Sequence, residues 1–247
     1  MWRAFVVPAL LLAALEAWAR TVGAASDALA PPSAAVLALA RAATNGSLWT
    51  ATAFTLGSAA AGLAIGFALG VLAGCALGLS RRAAAFAFAG VEVLRPVPSV
   101  ALIPLAMLVF GFGVRMELAV VAFATFWPVL VLAQAAVRQV EPQLLEVARA
   151  LQLGRAATLR AIVLPAMVPR LFVALRLAVA ITLVVAVTVE IAANPHGMGY
   201  ELMTAQQSLD PALMLGWLGW IGLLGWGINA AALALQHHVA RRMGAAA

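Results

Sequence analysis

The sequence predicts an all-α integral membrane fold of about six spanning helices, and three observations predict it. The 247 residues are 65% hydrophobic and only 10% charged, with a mean hydropathy of +1.05, whereas soluble domains are about half apolar and about a quarter charged. Apolar runs recur along the whole chain at the length of roughly 20 residues that a bilayer requires. The fifteen basic residues are all arginine and fall between those runs rather than in one patch. Membrane topology places them that way, and nucleic-acid binding does not follow from the formal charge of +6.

Taken in order, Trp2 to Ala19 reads as the first span, with Trp2 and Trp18 as interfacial anchors. Glu16 and Trp18 near the would-be cleavage site argue against a signal peptide, so a retained span is expected. Residues 20–46 are mixed, and Ser33 to Ala43 suits a short surface helix. Ala51 to Leu79 is a long span in which Gly62, Gly66, Gly70, Gly74 and Gly78 recur every fourth residue, with Ser58 one step earlier. Such a ridge of small residues lets another helix approach closely. A subunit interface and ordinary packing within one subunit both satisfy it, and the second is the expectation adopted.

Arg81-Arg82 ends that span. Ala83 to Leu94 suits an interfacial helix, Arg95-Pro96-Val97-Pro98 breaks it, and Ser99 to Phe110 resumes as the third span up to Gly111-Phe112-Gly113. Leu118 to Val137 is the fourth, with a kink expected at Trp127-Pro128. Leu171 to Ile191 is the fifth, carrying Arg176 and, at its far end, Glu190. Asn194 to Tyr200 forms a glycine-bearing turn, and Leu213 to Leu235 is the last span. With the N-terminus inside, twelve arginines fall on the cytoplasmic side and three (Arg20, Arg41, Arg115) outside. That bias predicts both termini inside.

The chemistry is sparse. Without a lysine there is no P-loop, so the chain is not itself a P-loop ATPase. Cys75 stands alone and forms no intrachain disulfide. No HExxH, GxSxG or CxxC occurs, and the His237-His238 pair lacks further ligands, so no catalytic residue, metal or cofactor is expected. For Arg95, Pro96, Pro98, Arg176 and Glu190 a place on a transport path or gate stands beside simple interfacial anchoring or a structural corner. Glu190 and Arg176 also motivate the alternative of a stand-alone carrier driven by an ion gradient.

The longest polar interruption in the last two-thirds of the chain is Glu141 to Pro165, EPQLLEVARALQLGRAATLRAIVLP, with three arginines and two acids. The orientation puts it in the cytoplasm. Leu144, Leu145, Ala148 and Leu151 share one helical face, an apolar stripe that needs a receiver outside the membrane core.

The spacing here resembles the EAA loop of binding-protein-dependent ABC importer permeases: Glu146-Val147-Ala148, then Ile162, Leu164 and Pro165 in register. Leu94-Arg95-Pro96-Val97-Pro98 with Ala101-Leu102-Ile103-Pro104-Leu105, Phe110 to Gly113, and Gly197-Met198-Gly199-Tyr200 are similar to signatures of the nitrate/sulfonate/taurine branch. The resemblance implies a type I importer permease with residues 1–47 as an N-terminal helix and periplasmic segment. It implies a transmembrane domain over 48–237 and a cytoplasmic tail over 238–247. It further implies a permease homodimer in the lipid bilayer, a separate cytoplasmic ABC ATPase, and an extracytoplasmic binding protein that delivers a small solute such as nitrate, a sulfonate or taurine. By that analogy the coupling helix that docks the ATPase comprises Leu144, Leu145, Glu146, Val147, Ala148, Arg149, Ala150, Leu151, Gln152, Leu153 and Gly154. Two positions depart from the family. Ser58 stands where its second span often has an arginine, and Gln152 stands where it has its loop glycine, with Gly154 two residues later. A left-handed turn favours glycine, so the helix is expected to run to about Leu153 and stop at Gly154.

Overall fold

A computed structural model describes residues 3–22 and 29–242; Trp2, Asp27 and residues 243–247 of the tail lie outside them. In chain order the helices are α1 Arg3–Thr21, α2 Pro32–Thr44, α3 Ser47–Leu79, α4 Arg81–Leu94, α5 Ile103–Phe110, α6 Val114–Arg138, α7 Pro142–Ala150, α8 Arg155–Thr158, α9 Leu164–Ala193, α10 Met198–Gln207 and α11 Pro211–Arg242. Among the described residues four segments are long and apolar enough to cross a membrane: α3, α6, Ala156–Ala193 and Pro211–His238. A fifth arises if α4 and Ser99–Phe110, bent by 86° at the proline break, are one broken span. The expected six also counted α1, a 19-residue helix whose Val7, Leu10, Leu11 and Leu12 are exposed. The helix α10 was not foreseen, because its residues carry neither an apolar run nor a clear period.

The chain divides into two compact units, Met1–Gly57 with Val187–Trp226, and Ser58–Ala186 with Gly227–Ala247. In the first unit, Glu16 on α1 accepts from the Ser33 backbone N–H (3.0 Å) and hydroxyl (2.7 Å) at the start of α2, while Arg20 binds both groups. An acceptor at a helix start satisfies a donor the helix cannot bond internally. Trp220 on α11 donates from its indole nitrogen to the Thr52 hydroxyl (2.9 Å) and meets Trp49 edge-on. Glu190, buried at the end of α9, accepts from the Gly199 N–H at 2.8 Å. A Cβ at Gly197 would sit on the Glu190 carboxylate, and one at Gly199 would come within 2.3 Å of the Val187 carbonyl. The glycines of the 194–200 turn are therefore there to let a buried acid close it.

In the second unit the glycine ridge finds its partner. A Cβ would come within 2.7 Å of Val121 Cγ1 at Gly62, 2.5 Å of the Ala122 carbonyl oxygen at Gly66 and 2.8 Å of the Phe126 oxygen at Gly70. At Gly74 and Gly78 it would come within 2.5 Å of the Leu130 oxygen and 2.6 Å of Val137 Cβ. All five glycines thus face α6 of the same chain, Gly66, Gly70 and Gly74 against its backbone and Gly62 and Gly78 against the valine side chains. Packing within one subunit is the reading that holds. At the head of the ridge Ser58 donates to Glu117 Oε1 across the two helices at 2.5 Å, both residues being buried. The family's arginine is absent there, yet a polar contact remains. α6 stays helical through Pro128 and begins one turn before the expected Leu118.

Candidate functional site: the 141–165 segment and the α4–α5 break

The helix α7 starts at Pro142, which suits a first helical turn because its missing N–H would be unsatisfied there anyway. Its inner face closes on a cluster of Ala133, Ala136, Val137, Val140, Val163 and Met167, with Leu145, Leu159, Ile162 and Cys75 packed around it. Ala148 is 3% exposed and Leu145 half-buried. The expected stripe of Leu144, Leu145, Ala148 and Leu151 is thereby corrected. Two of its members belong to the protein's own core, and the outward apolar patch is Leu144, Val147 and Leu151, flanked by exposed Glu146 and Arg149. A sequence period marks an apolar face without saying how much of it the same chain covers.

The turn after α7 overturns the second expectation. The helix ends at Ala150, Gln152 itself adopts the left-handed conformation at φ 52°, and Gly154 has no positive φ. The Gln152 N–H bonds the Arg149 carbonyl (3.0 Å) and the Leu153 N–H bonds that of Ala148 (2.9 Å). This is the paired closure of a Schellman turn, in which two otherwise orphaned carbonyls are satisfied. Burial of Ala148 fixes the register of the last turn, and two hydrogen bonds at the end of a packed helix outweigh the ~1–2 kcal/mol that a left-handed non-glycine residue costs. Gln152→Gly is accordingly expected to raise thermal stability, by about 1 kcal/mol or less after the extra backbone entropy of glycine is subtracted. Thermal unfolding of the detergent-solubilised protein checks this, and no change or a loss contradicts it.

The second half of the segment is a helical foot rather than a loop. α8 passes through a wide turn at Leu159–Val163, in which the Leu164 N–H reaches back five residues to the Leu159 carbonyl, and continues as α9. Pro165 explains the widening: it has no N–H for the Ala161 carbonyl, and its ring crowds that group. Of the expected terminal motif, Ile162 packs on the cluster, while Leu164 and Pro165 are exposed.

The remaining candidates separate. Arg95 caps the end of α4 and makes a 3.9 Å ion pair with Glu92, both half-exposed. It lines a cavity of about 410 Å³ with Val97, Ser99, Phe123, Trp127 and Pro128 among others. Pro96 and Pro98 are exposed and outside that lining; they make the bend. Arg176 lines a different cavity of about 240 Å³ between α9 and α11, with Phe172 and Ala231. Glu190 holds the 194–200 turn instead of standing at an interface, and this corrects its anchoring role. Sequence reading missed Glu117, Ser99 and the cavity role of Trp127. A lone acid four residues into an apolar helix was the available signal for Glu117.

Residues 66–245 match the family model described as binding-protein-dependent transport system inner membrane component. The chain belongs to this family. It is similar to the putative aliphatic sulfonates transport permease protein SsuC of Bacillus subtilis (strain 168), with 28% identity over 83% of this chain and 74% of that one. It is likewise similar to the taurine transport system permease protein TauC of Escherichia coli (strain K12), with 27% identity over 79% and 71%. Its fold is similar to a solved structure of the MetNI methionine ABC transporter, with a TM-score of 0.60 and 19% identity over 76% of this chain and 91% of that one. The chain is a multi-pass inner-membrane permease subunit, and the α7 segment and the Arg95 cavity are features of such a subunit.

Proposed function

We propose that this permease forms the membrane path of an ATP-driven importer for a small anion, and that α7 is where a cytoplasmic ABC ATPase docks. The observation that carries the reading is the outward patch of Leu144, Val147 and Leu151 beside Glu146, on a helix rooted in the protein's own core. An apolar patch outside the lipid-facing spans costs free energy unless a partner covers it. The missing P-loop lysine supports ATP hydrolysis by that partner. The arginine bias supports an orientation with α7 and both termini inside, with residues 48–237 as the transmembrane domain and 238–247 as its tail. Two copies pair in the bilayer to complete the path, and an extracytoplasmic binding protein delivers the solute. Relatives named for aliphatic sulfonates and taurine support a sulfonate-like anion as that solute.

The test is reconstitution. Vesicles holding the permease, its ATPase and its binding protein should accumulate ethanesulfonate, taurine or nitrate only with internal ATP. The permease alone, under a proton or sodium gradient, should accumulate none of them. Gradient-driven uptake by the isolated chain overturns the proposal, as does failure to recover any ATPase with it.

A further inference from the structure

The cavity at the α4–α5 break has a one-sided chemistry. Its walls are largely apolar, its charged lining residue is Arg95, and no carboxylate lines it. Ser99 adds a hydroxyl. Trp127 adds an apolar ring face to the wall, held edge-on by Phe123 (5.6 Å) and Phe126 (4.8 Å). The Arg95–Glu92 pair is long and half-exposed, the kind of ion pair that contributes little and leaves guanidinium donors available. Arg95 also lines a second cavity of about 900 Å³ that adds Arg81, Arg138 and Gln134 against the single acid Glu92. It therefore stands where an apolar chamber with donors but no acids meets a basic one.

We propose that Arg95 and Ser99 form a transit site for a small oxyanion against the apolar wall of Trp127, with Arg95 handing the anion from the first chamber to the second. The proposal rests on the importer reading above and adds that the permease chain itself selects for charge. A planar guanidinium suits two oxygens of a sulfonate, nitrate or bicarbonate at once. The same charge opposes cations.

The experiment uses the complete importer in vesicles and a probe panel of ethanesulfonate, taurine, bicarbonate and nitrate, with methionine amide and glycerol as cationic and neutral controls. Wild type should accumulate an anion-bearing probe and neither control. Arg95→Gln should lower that uptake by about tenfold or more, the loss expected for one charge-assisted contact. Arg95→Lys should recover part of it, and Ser99→Ala should raise the half-saturating concentration by about threefold, as for one neutral hydrogen bond. Recovery of ATPase with each variant reports assembly. Arg95→Gln uptake within about twofold of wild type overturns the site, as does accumulation of a control instead of an anion. If Arg95→Gln fails to assemble, wild-type uptake by both Arg95→Lys and Ser99→Ala overturns it equally. ATP-independent uptake by the wild type refutes the importer reading instead, so the two failures are distinguishable.

Discussion

Gly74→Ala is expected to destabilise the permease by about 1–3 kcal/mol, the range for overpacking a well-packed contact. The new methyl would meet the Leu130 carbonyl oxygen at 2.5 Å, Ala133 Cβ at 2.7 Å and the Gln134 nitrogen at 3.0 Å. None of these atoms can rotate away. Alanine favours a helix over glycine by up to about 1 kcal/mol, so propensity and packing oppose one another and packing wins only because the obstacle is backbone. Gly66→Ala meets the Ala122 carbonyl at 2.5 Å and should behave alike. The double variant should cost less than the sum, because one outward shift of α6 relieves both clashes; coupling of this kind marks residues that share a rigid partner. Gly57→Ala, with no atom within 4 Å of the added methyl, is the control. It should match or exceed wild type. Thermal unfolding in detergent measures all four, and a Gly74→Ala protein as stable as Gly57→Ala would falsify the account of the ridge.

Leu151→Asp should leave the fold intact and weaken recovery of the ATPase by about tenfold or more. Leu151 is 65% exposed and Val147 51%, and surface changes of this kind usually shift stability by less than about 0.5 kcal/mol. At an interface, by contrast, a buried apolar anchor is worth about 2 kcal/mol or more. Val147→Asp should act in the same direction, with ATP-driven uptake falling in step. Ala148→Asp inverts the pattern: it places a charge in a site that is 3% exposed and should lower the yield of folded permease before any partner is involved. Equal ATPase recovery by Leu151→Asp and wild type would move the docking surface off α7.

Four of the six expected spans were legible because apolar length is a property of a segment by itself. The glycine ridge was legible as a ridge, but its partner was not, since small residues at every fourth position state how close a neighbour comes and not which neighbour it is. The same limit divided the α7 stripe: Leu145 and Ala148 look like Leu144 and Leu151 in a period, and only the fold assigns them to opposite sides. The turn at Gln152 failed for another reason. Preference for glycine is a bias of about 1–2 kcal/mol, and a helix whose last inward residue is pinned at Ala148 must turn where geometry demands. Glu117 escaped because a single acid has no pattern, and Glu190 was marked as an acid at a span end without the turn that it closes. Each is explained by one distant group, the Ser58 hydroxyl and the Gly199 N–H respectively.

One apolar cluster gathers the end of α6, the inner face of α7, the wide turn at 159–163 and the start of α9. Mechanically it is a riveted joint. Ala156–Ala193 is one helical run of 38 residues, about 57 Å of rod at 1.5 Å per residue. A load applied at Leu144, Val147 and Leu151 passes through this cluster before it reaches that run, which carries Pro169 in its interior. The wide turn ahead of Pro165 is the place in the joint where the helical ladder changes pitch, so any yielding concentrates there. On the proposed docking, the exposed patch is the handle through which the ATPase loads this joint.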